Sequence, residues 1–491
     1  MTMQQLTILH VILPLLAAPI LLLVNRERVA FWITMAVSLA VLAFVVLLLI
    51  EVSVNGPISY YLGGWKPPVG IEYRIDLLSA FMLLIVAAIG TITLPYAAVN
   101  QTNELESGSY VKFYIAWLLC FGALLGLASS GDIFNIFVFL EISALASYIL
   151  IAMGRDKRAL LASFQYLVLG TIGATFFLIG IGLVYAQTGT LNLIDLSTRV
   201  EDLKDSPTLL TGFCFLAVGV LLKLAAFPLH GWLPDAYTHA PSVVSAFLAG
   251  TATKIALYLL IRLIHSVFGV EFVFSALPLD ELIIILGLCG IFLGSIKAIF
   301  ESNIKRMFAY SSVAQIGYLL IGVGLLSASG LTATLIHVFN HALMKSAVFL
   351  ALGAVIYRTG LVNIKDLAGL GPRMPLTMAT IVIAGFSLIG LPGTSGFISK
   401  WYLVSAVLEQ DRWMLAIMIL VGSLLAAVYV FRLIEAAWFN EPKHDVKEAP
   451  PTLLVPICLL AFANIYFGFD TRLSVDVSSA ISQLIFLEQS R

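Results

Sequence analysis

Charge is what this sequence has least of. Of its 491 residues only 11% are Asp, Glu, Lys or Arg, while 60% are hydrophobic. A soluble domain carries about 25% charged residues, so a chain of this size cannot cover a water-facing surface. A soluble protein is excluded, and a multi-spanning membrane protein remains. The formal net charge of −1 provides no basic patch and so no case for a nucleic-acid partner. Cysteine is scarce too: Cys120, Cys214, Cys289 and Cys458 lie far apart in apolar runs, and no CxxC occurs. Neither a disulfide framework nor a cysteine metal site is suggested. GxxxxGK[ST] is also missing, since "GTSGFISK" (393–400) only imitates it inside an apolar run. Haem and flavin signatures are absent, so no cofactor is expected, and any energy source is an ion gradient or a partner subunit. The first cations, Arg26 and Arg28, follow the apolar stretch from Leu6 to Val24. That order is wrong for a cleaved signal peptide and reads as a retained first helix.

What is present is length in apolar runs. A bilayer core takes about 20 apolar residues per helix, which gives about fourteen spans. They fall near 6–24, 30–50, 76–98, 110–128, 132–153, 161–186, 209–227, 243–265, 280–299, 305–326, 331–357, 375–401, 413–437 and 452–470. The connections 51–75, 187–208 and 438–451 are too short for a catalytic domain. With the N-terminus outside, 15 of the 27 Lys and Arg fall on the inner side, Arg26, Lys157, Lys305 and Lys443 among them. Eight fall outside, including Arg74, Lys204, Arg262 and Arg491. That bias places both termini outside.

Two spans are broken. In "LLKLAAFPLHGWLPDAYTHAPS" (221–242), Pro228 and Pro234 bracket a polar segment. In "FSLIGLPGTSGFISKWYLV" (386–404), Pro392, Gly393 and Gly396 interrupt an apolar run. Freed backbone at membrane depth is tolerated only inside protein or along a wet cavity. Paired interrupted helices are a sign of repeated transporter halves. The breaks fall in the seventh and twelfth spans, an odd separation that requires opposite entry. The expected fold is therefore an all-α membrane protein with two inverted five-helix repeats, each holding a broken helix. Helices 1–3 occupy 1–109, the repeats 110–265 and 280–437, and the last span with its tail 438–491.

Five charges fall inside spans: Glu141, Lys223, Lys254, Lys345 and Lys400. Each costs about 3 kcal/mol at the bilayer centre on insertion scales. Glu141, in "FVFLEISALASY", has no lysine three or four residues away, so its partner comes from another helix. Lys223, beside the first break, is the favoured one. A static pair gluing two helices is the plain alternative. Three surplus cations argue against it, since methionine would fill the same space uncharged. Lys345 is the weakest candidate and could snorkel toward Arg358. His337, His341 and Lys345 follow at i, i+4 and i+8, one stripe of a helix suited to proton relay; the alternative is histidines bonded to nearby backbone. Position 338 is Val, so this is not HExxH, and no metal site is expected. His230, Asp235 and His239 fall in a surface loop where capping is at least as good a reading as proton entry. Asp132, after "SSG", reads as an N-cap.

These motifs resemble a known family. "NIFVFLEISALASY", the lysine before "FPLHGWLPDAYTHAPSVVSAFLAG", "KIALYLLIR", "KRMFAYSSVAQIGY", "HVFNHALMKSAVFLALG" and "LPGTSGFISK" are similar to the antiporter-like membrane subunits of respiratory complex I, membrane-bound hydrogenases and Mrp-type cation/proton antiporters. Within that group the chain looks most like the D-type component of Mrp-type multisubunit Na⁺/H⁺ antiporters. The resemblance implies Glu141 and Lys223 as the essential pair, Lys254 as central relay, His337 and His341 as intermediate relays and Lys400 as distal gate. It assigns nothing to Lys345. It also implies one subunit of a larger cell-membrane assembly, exchanging protons for a monovalent cation, Na⁺ in the first instance. The alternative is a proton-pumping subunit of a redox complex, and only then part of an enzyme.

Overall fold

The computed structural model describes residues 3–24, 26–105, 108–203, 205–275, 278–442 and 445–489. Lys204, Lys443 and Arg491, which entered the orientation count, lie outside them. Helices α1 (Met3–Leu21) and α2 (Glu27–Asn55) precede an antiparallel hairpin of β1 (Ile58–Tyr61) and β2 (Glu72–Ile75), with Ile58 opposite Ile75. Next come α3 (Leu77–Glu104), α4 (Tyr110–Ser129), α5 (Ile133–Ala152), α6 (Arg158–Thr188) and the short α7 (Leu193–Glu201). The seventh span is α8 (Pro207–Leu224), followed after a turn by α9 (Leu233–His239). Helix α10 (Ser242–Ile261) passes through a π-helical turn, Arg262–Phe268, into α11 (Val270–Ser275). Then follow α12 (Leu279–Phe300), α13 (Ile304–Gly324), α14 (Ala328–Thr359) and α15 (Leu370–Arg373). The chain ends with α16 (Pro375–Ile389), α17 (Ser395–Leu408), α18 (Trp413–Phe439), α19 (Pro451–Phe469) and α20 (Val477–Gln489).

Among the described residues, 13 helices are long and apolar enough to cross a membrane. The fourteenth crossing is α16 and α17 end to end, too short singly. That pair corrects the twelfth span, expected at 375–401, to 375–408 with its break at 390–394. The hairpin, α7 and α20 occupy stretches that carry no spanning signal. Because spans alternate in direction, the hairpin, α7 and α20 share one membrane face, the hairpin face, while α9 lies at the other.

The two halves repeat at the level of single hydrogen bonds. The Ile133 amide donates to Leu191 O and the Leu193 amide to Gly131 O. At positions 171 residues on, Ile304 donates to Val362 O and Ile364 to Ser302 O. Helix α5 begins the fifth span and α13 the tenth, so these matched pairings close opposite faces. Small residues let the helices approach, as expected where lipid supplies no hydrophobic drive. A Cβ on Gly219 (α8) would stand 2.6 Å from Gly173 O in α6, and one on Gly317 (α13) 2.3 Å from Gly287 O in α12.

The helices with most polar groups lie deepest. About 94% of the spanning windows of α10, α13 and α14 are buried, against 33% for α2 and α19. Burial of polar groups inside protein is what the hydrocarbon enforces. Arg262, counted as an outer surface cation, is instead mostly buried at the end of α10 and paired with Asp76. Lys305, counted as an inner surface cation, is 4% exposed and donates to Ala240 O at 2.6 Å. Both of these long side chains find oxygen partners within reach, which the loop count could not register.

The second break is held by Ser387, whose Oγ accepts from the Gly396 amide at 3.0 Å. A Cβ on Gly396 would lie 1.8 Å from Ser387 O, a backbone atom that cannot yield. Gly396→Ala is expected to lower unfolding stability in detergent by about 1–3 kcal/mol; an unchanged melting temperature would show that the two half-helices are free to separate.

Candidate functional site

The first break sets Lys223. Helix α8 stops because Ala225 takes a left-handed conformation, φ 60°, and caps it. Leu222 O in its last turn accepts from the Ala225 amide at 3.1 Å and also from Trp232 Nε1 at 2.9 Å, which ties the broken segment to the helix end. Lys223 therefore occupies the last turn of α8, at the negative end of its dipole. Its Nζ lies 3.9 Å from Glu141 Oε1 and donates to the Tyr148 hydroxyl at 3.4 Å. Glu141 and Tyr148 are seven residues apart on α5, two turns along one flank. Gly170 of α6 makes room: a Cβ there would fall 2.0 Å from Tyr148 Oη and 3.4 Å from Lys223 Nζ. Beside them a cavity of about 30 Å³ is lined by Lys223, Ser143, Ser147 and apolar residues of α4 and α10, enough space for a water molecule.

Glu141 was expected in the interior, but its side chain is 29% exposed on the chain's own surface. The reason is helical phase: Glu141 shares its stripe with Phe134, Val138, Leu145 and Ile149, all exposed. Glu141 Oε1 has no hydrogen-bond partner among the described residues.

The second break sets Lys400. Helix α16 ends where Gly390 turns left-handed, φ 89°, exposing its last carbonyls. Lys400 Nζ, on α17, donates to Leu388 O at 2.9 Å, Ile389 O at 3.0 Å and Ser423 Oγ at 2.8 Å. The Tyr318 ring centroid lies 4.5 Å from the same ammonium. Both breaks thus hold a lysine at a half-helix C-terminus. Lys223 belongs to the helix that ends, Lys400 to the one that begins.

Between the breaks lies α14. The His337 and His341 rings stack 5.8 Å apart at 10°. His337 Nδ1 meets Ser399 Oγ at 2.8 Å, next in sequence to Lys400. His337 Nε2 and both ring nitrogens of His341 have no partner among the described residues. Lys345 does not snorkel toward Arg358. It is fully buried and crosses to α13, donating to Phe308 O at 2.9 Å and to Ser311 Oγ. Snorkelling fails because the polar oxygen of α13 is nearer than the membrane face. Lys254 donates to Ala249 O, five residues back on α10, and to Thr253 Oγ1 at 3.4 Å. Helix α14, which carries the histidines and Lys345, packs against α10 with Lys254 and α17 with Lys400. Among the described residues, none of these three lysines has a carboxylate within salt-bridge distance.

Lys254, the histidines, Lys345, Ser399 and Lys400 therefore form one neighbourhood, and Glu141 with Lys223 forms another. A run of aromatic rings starts at Tyr148, which accepts from Lys223. Tyr148 and Tyr166 centroids lie 4.7 Å apart, Tyr166 stacks on Trp232 at 3.8 Å, and Trp232 meets Tyr237 at 6.4 Å. The loop residues lie at the membrane face. Asp235 pairs with Arg306 at 3.2 Å and His239 with Asp156 at 3.0 Å, fastening α9, while His230 stacks on Phe227. Asp132 caps α5, accepting from the Asn135 amide at 2.8 Å. Tyr148, Ser399 and Ser311 escaped the reading of the sequence. Tyr148 was visible as i+7 from Glu141, and Ser399 as the neighbour of Lys400.

Half-helices broken at membrane depth beside buried lysines define an antiporter-like membrane subunit. Residues 130–426 match the family described as "NADH:quinone oxidoreductase/Mrp antiporter, TM", and the chain belongs to it. It is 41% identical over 487 residues to NADH-quinone oxidoreductase subunit N of Desulforudis audaxviator, covering 94% of this chain and 95% of that one. It is 30% identical to a Na(+)/H(+) antiporter subunit of Bacillus subtilis, covering 96% and 95%. A chain of the Mrp complex from Dietzia sp. superposes with TM-score 0.90 at 25% identity, covering 99% and 98%. The family read from the motifs is correct; the lean toward its Mrp branch is matched by relatives of both kinds.

A buried ammonium with no counterion should be a burden on folding. Lys345→Met is expected to leave stability unchanged or raise it, whereas Ser311→Ala, which strips the ammonium of a partner, should cost about 1.5–3 kcal/mol. Thermal unfolding of both in detergent checks this, and a clear loss in Lys345→Met would make the lysine a structural anchor.

Proposed function

We propose that this chain conducts protons across the membrane as one subunit of a multisubunit complex. The observation that carries the reading is the set of three buried lysines resting on carbonyl and hydroxyl oxygens rather than on carboxylates. An oxygen dipole can hold an ammonium and can equally accept a hydrogen bond from a neutral amine. Such a lysine can gain or lose a proton without breaking a salt bridge. Entry is at Glu141 and Lys223, where Tyr148 joins the pair. Lys254, His341 and His337 relay, Lys345 supplies a nearby charge that shifts with them, and Ser399 links His337 to Lys400 at the far end. Units at 110–265 and 280–437, related by inversion, give each half its own break and lysine, and the matched amide pairs support this division.

The exposed stripe around Glu141 supports a neighbouring subunit there, since a carboxylate facing hydrocarbon costs several kcal/mol. In the first reading the assembly exchanges protons for a monovalent cation, Na⁺ foremost, in the cell membrane with both termini outside. Whole-length likeness to the Mrp-complex chain supports it. In the second reading the assembly is a redox complex and the same axis pumps protons. The 41% identity to a quinone-oxidoreductase subunit favours that. Co-purification separates them: iron–sulfur or flavin subunits mean the second, small membrane subunits alone mean the first.

In vesicles holding the assembled complex, Glu141→Gln is expected to lose most proton transport, while Glu141→Asp keeps part of it. Equal rates in the two variants would return Glu141 to a packing role.

A further inference from the structure

On the hairpin face a vestibule of about 700 Å³ opens among α2, the hairpin, α7, α10 and α20. Its wall carries Arg74, Ser130 and Ser197 together with apolar residues of α20, and its throat is Asp76, Tyr258 and Arg262. None of these residues belongs to the axis described above. Asp76, Tyr258 and Arg262 are joined through Ser79 in one polar network. Arg262 pairs with Asp76 through Nη2, which also donates to Ser79 Oγ at 2.9 Å. Arg262 Nε donates to Tyr258 Oη at 3.1 Å. Tyr258 Oη lies 3.0 Å from Ser79 Oγ and donates to Ala128 O at 3.0 Å. Asp76 also caps α3, accepting from the Ser79 amide at 2.9 Å. Burial would raise its carboxyl, but the Arg262 charge and hydrogen bond, the Ser79 amide and the Arg74 charge together hold it below its ordinary value.

The helix connects this throat to the axis. Lys254, Tyr258 and Arg262 stand at i, i+4 and i+8 on α10, the same spacing as His337, His341 and Lys345 on α14. Just past Tyr258 the helix widens into the π turn that begins at Arg262, a feature frequent at functional sites. Tyr258 is 3% exposed and lines the vestibule, while Lys254, one turn before it on the same stripe, is 1% exposed.

We propose that the vestibule is a proton opening onto the hairpin face, gated by the Asp76–Arg262 pair and ending at Lys254. This rests on the proton-conducting reading above and adds to it a mouth at the centre of the axis. The transferred species is the proton. Two guanidinium groups, Arg74 and Arg262, line the route and repel a metal cation. Transfer needs the Lys254 side chain to swing from Ala249 O, on the N-terminal side of its own Cα, toward Tyr258, whose Cα stands about 5.4 Å beyond that of Lys254 along α10. The ammonium gives its proton to Tyr258 Oη, and Tyr258, which lines the vestibule, releases its own to water there. The lysine is left neutral and the hydroxyl is restored.

The test uses the assembled complex in proteoliposomes, with the four native cysteines replaced by alanine and a bulky membrane-impermeant maleimide as probe. Ser197→Cys lies on the vestibule wall outside the network. It should transport normally until labelled, react from the hairpin face only, and then lose most of its rate. Tyr258→Phe keeps the ring against Arg262 but removes the relay hydroxyl, and should slow transport about 100-fold or more. Full rates in both the labelled Ser197→Cys and Tyr258→Phe, with Lys223→Ala inactive, would make the vestibule a lipid-filled dead end and overturn the proposal while leaving the functional reading standing. Normal transport by Lys223→Ala would instead overturn the reading on which the vestibule depends.

Discussion

The structure turns on one constraint: an ammonium group inside a membrane protein needs oxygen around it, and a carboxylate is a poor choice if the proton must move on. A tight ion pair in a low-dielectric interior locks both partners. The chain uses backbone dipoles instead. Ending a helix at membrane depth leaves carbonyls without amide partners, and α16 presents two of these to Lys400. Lys345 and Lys254 rest on single carbonyls and neighbouring hydroxyls. Among the described residues, Lys223 alone of these four lysines has a carboxylate within salt-bridge distance, and at 3.9 Å that contact is loose.

The rest of the architecture follows from supplying those oxygens. Breaks in the middle of spans are tolerable only where other helices surround them. Polar α10, α13 and α14 therefore fill the centre, and the most apolar helices form the rim. Close glycine contacts such as Gly219 with Gly173 bring the broken helices against unbroken ones that hold them. Gly170 shows the same logic at the site, because only a residue without a Cβ leaves room for the Tyr148 hydroxyl beside Lys223.

Much of this was legible in the sequence. Span positions came from apolar length, and the breaks from Pro228, Pro234, Pro392 and Gly393. The candidate lysines stood out because a charge in an apolar run is costly wherever it lies. What was not legible depends on helical phase and on reach across helices. Glu141 reads as interior until α5 is rotated to show Val138 and Leu145 exposed on the same stripe. The partners of Lys345 sit 34 and 37 residues away on another helix, and no local pattern points to them. The ion pair of Arg262 was not legible, because a count of cations by side says nothing of burial and Asp76 is 186 residues away. The hairpin and α20 were missed because apolar length finds spans and nothing else.

The least continuous joint is the one between Lys223 and Lys254, which share no hydrogen-bond partner among the described residues. If the lysines form one conducting chain, the two must act in series across it. Proton flux through the assembled complex, measured for Lys223→Met, Lys254→Met and the double variant, tests this directly. Residues acting as a unit are non-additive, so the account predicts large losses in each single variant and a double no slower than the slower single. A Lys254→Met variant conducting at the wild-type rate, or a double variant whose loss is the product of the two, would contradict it.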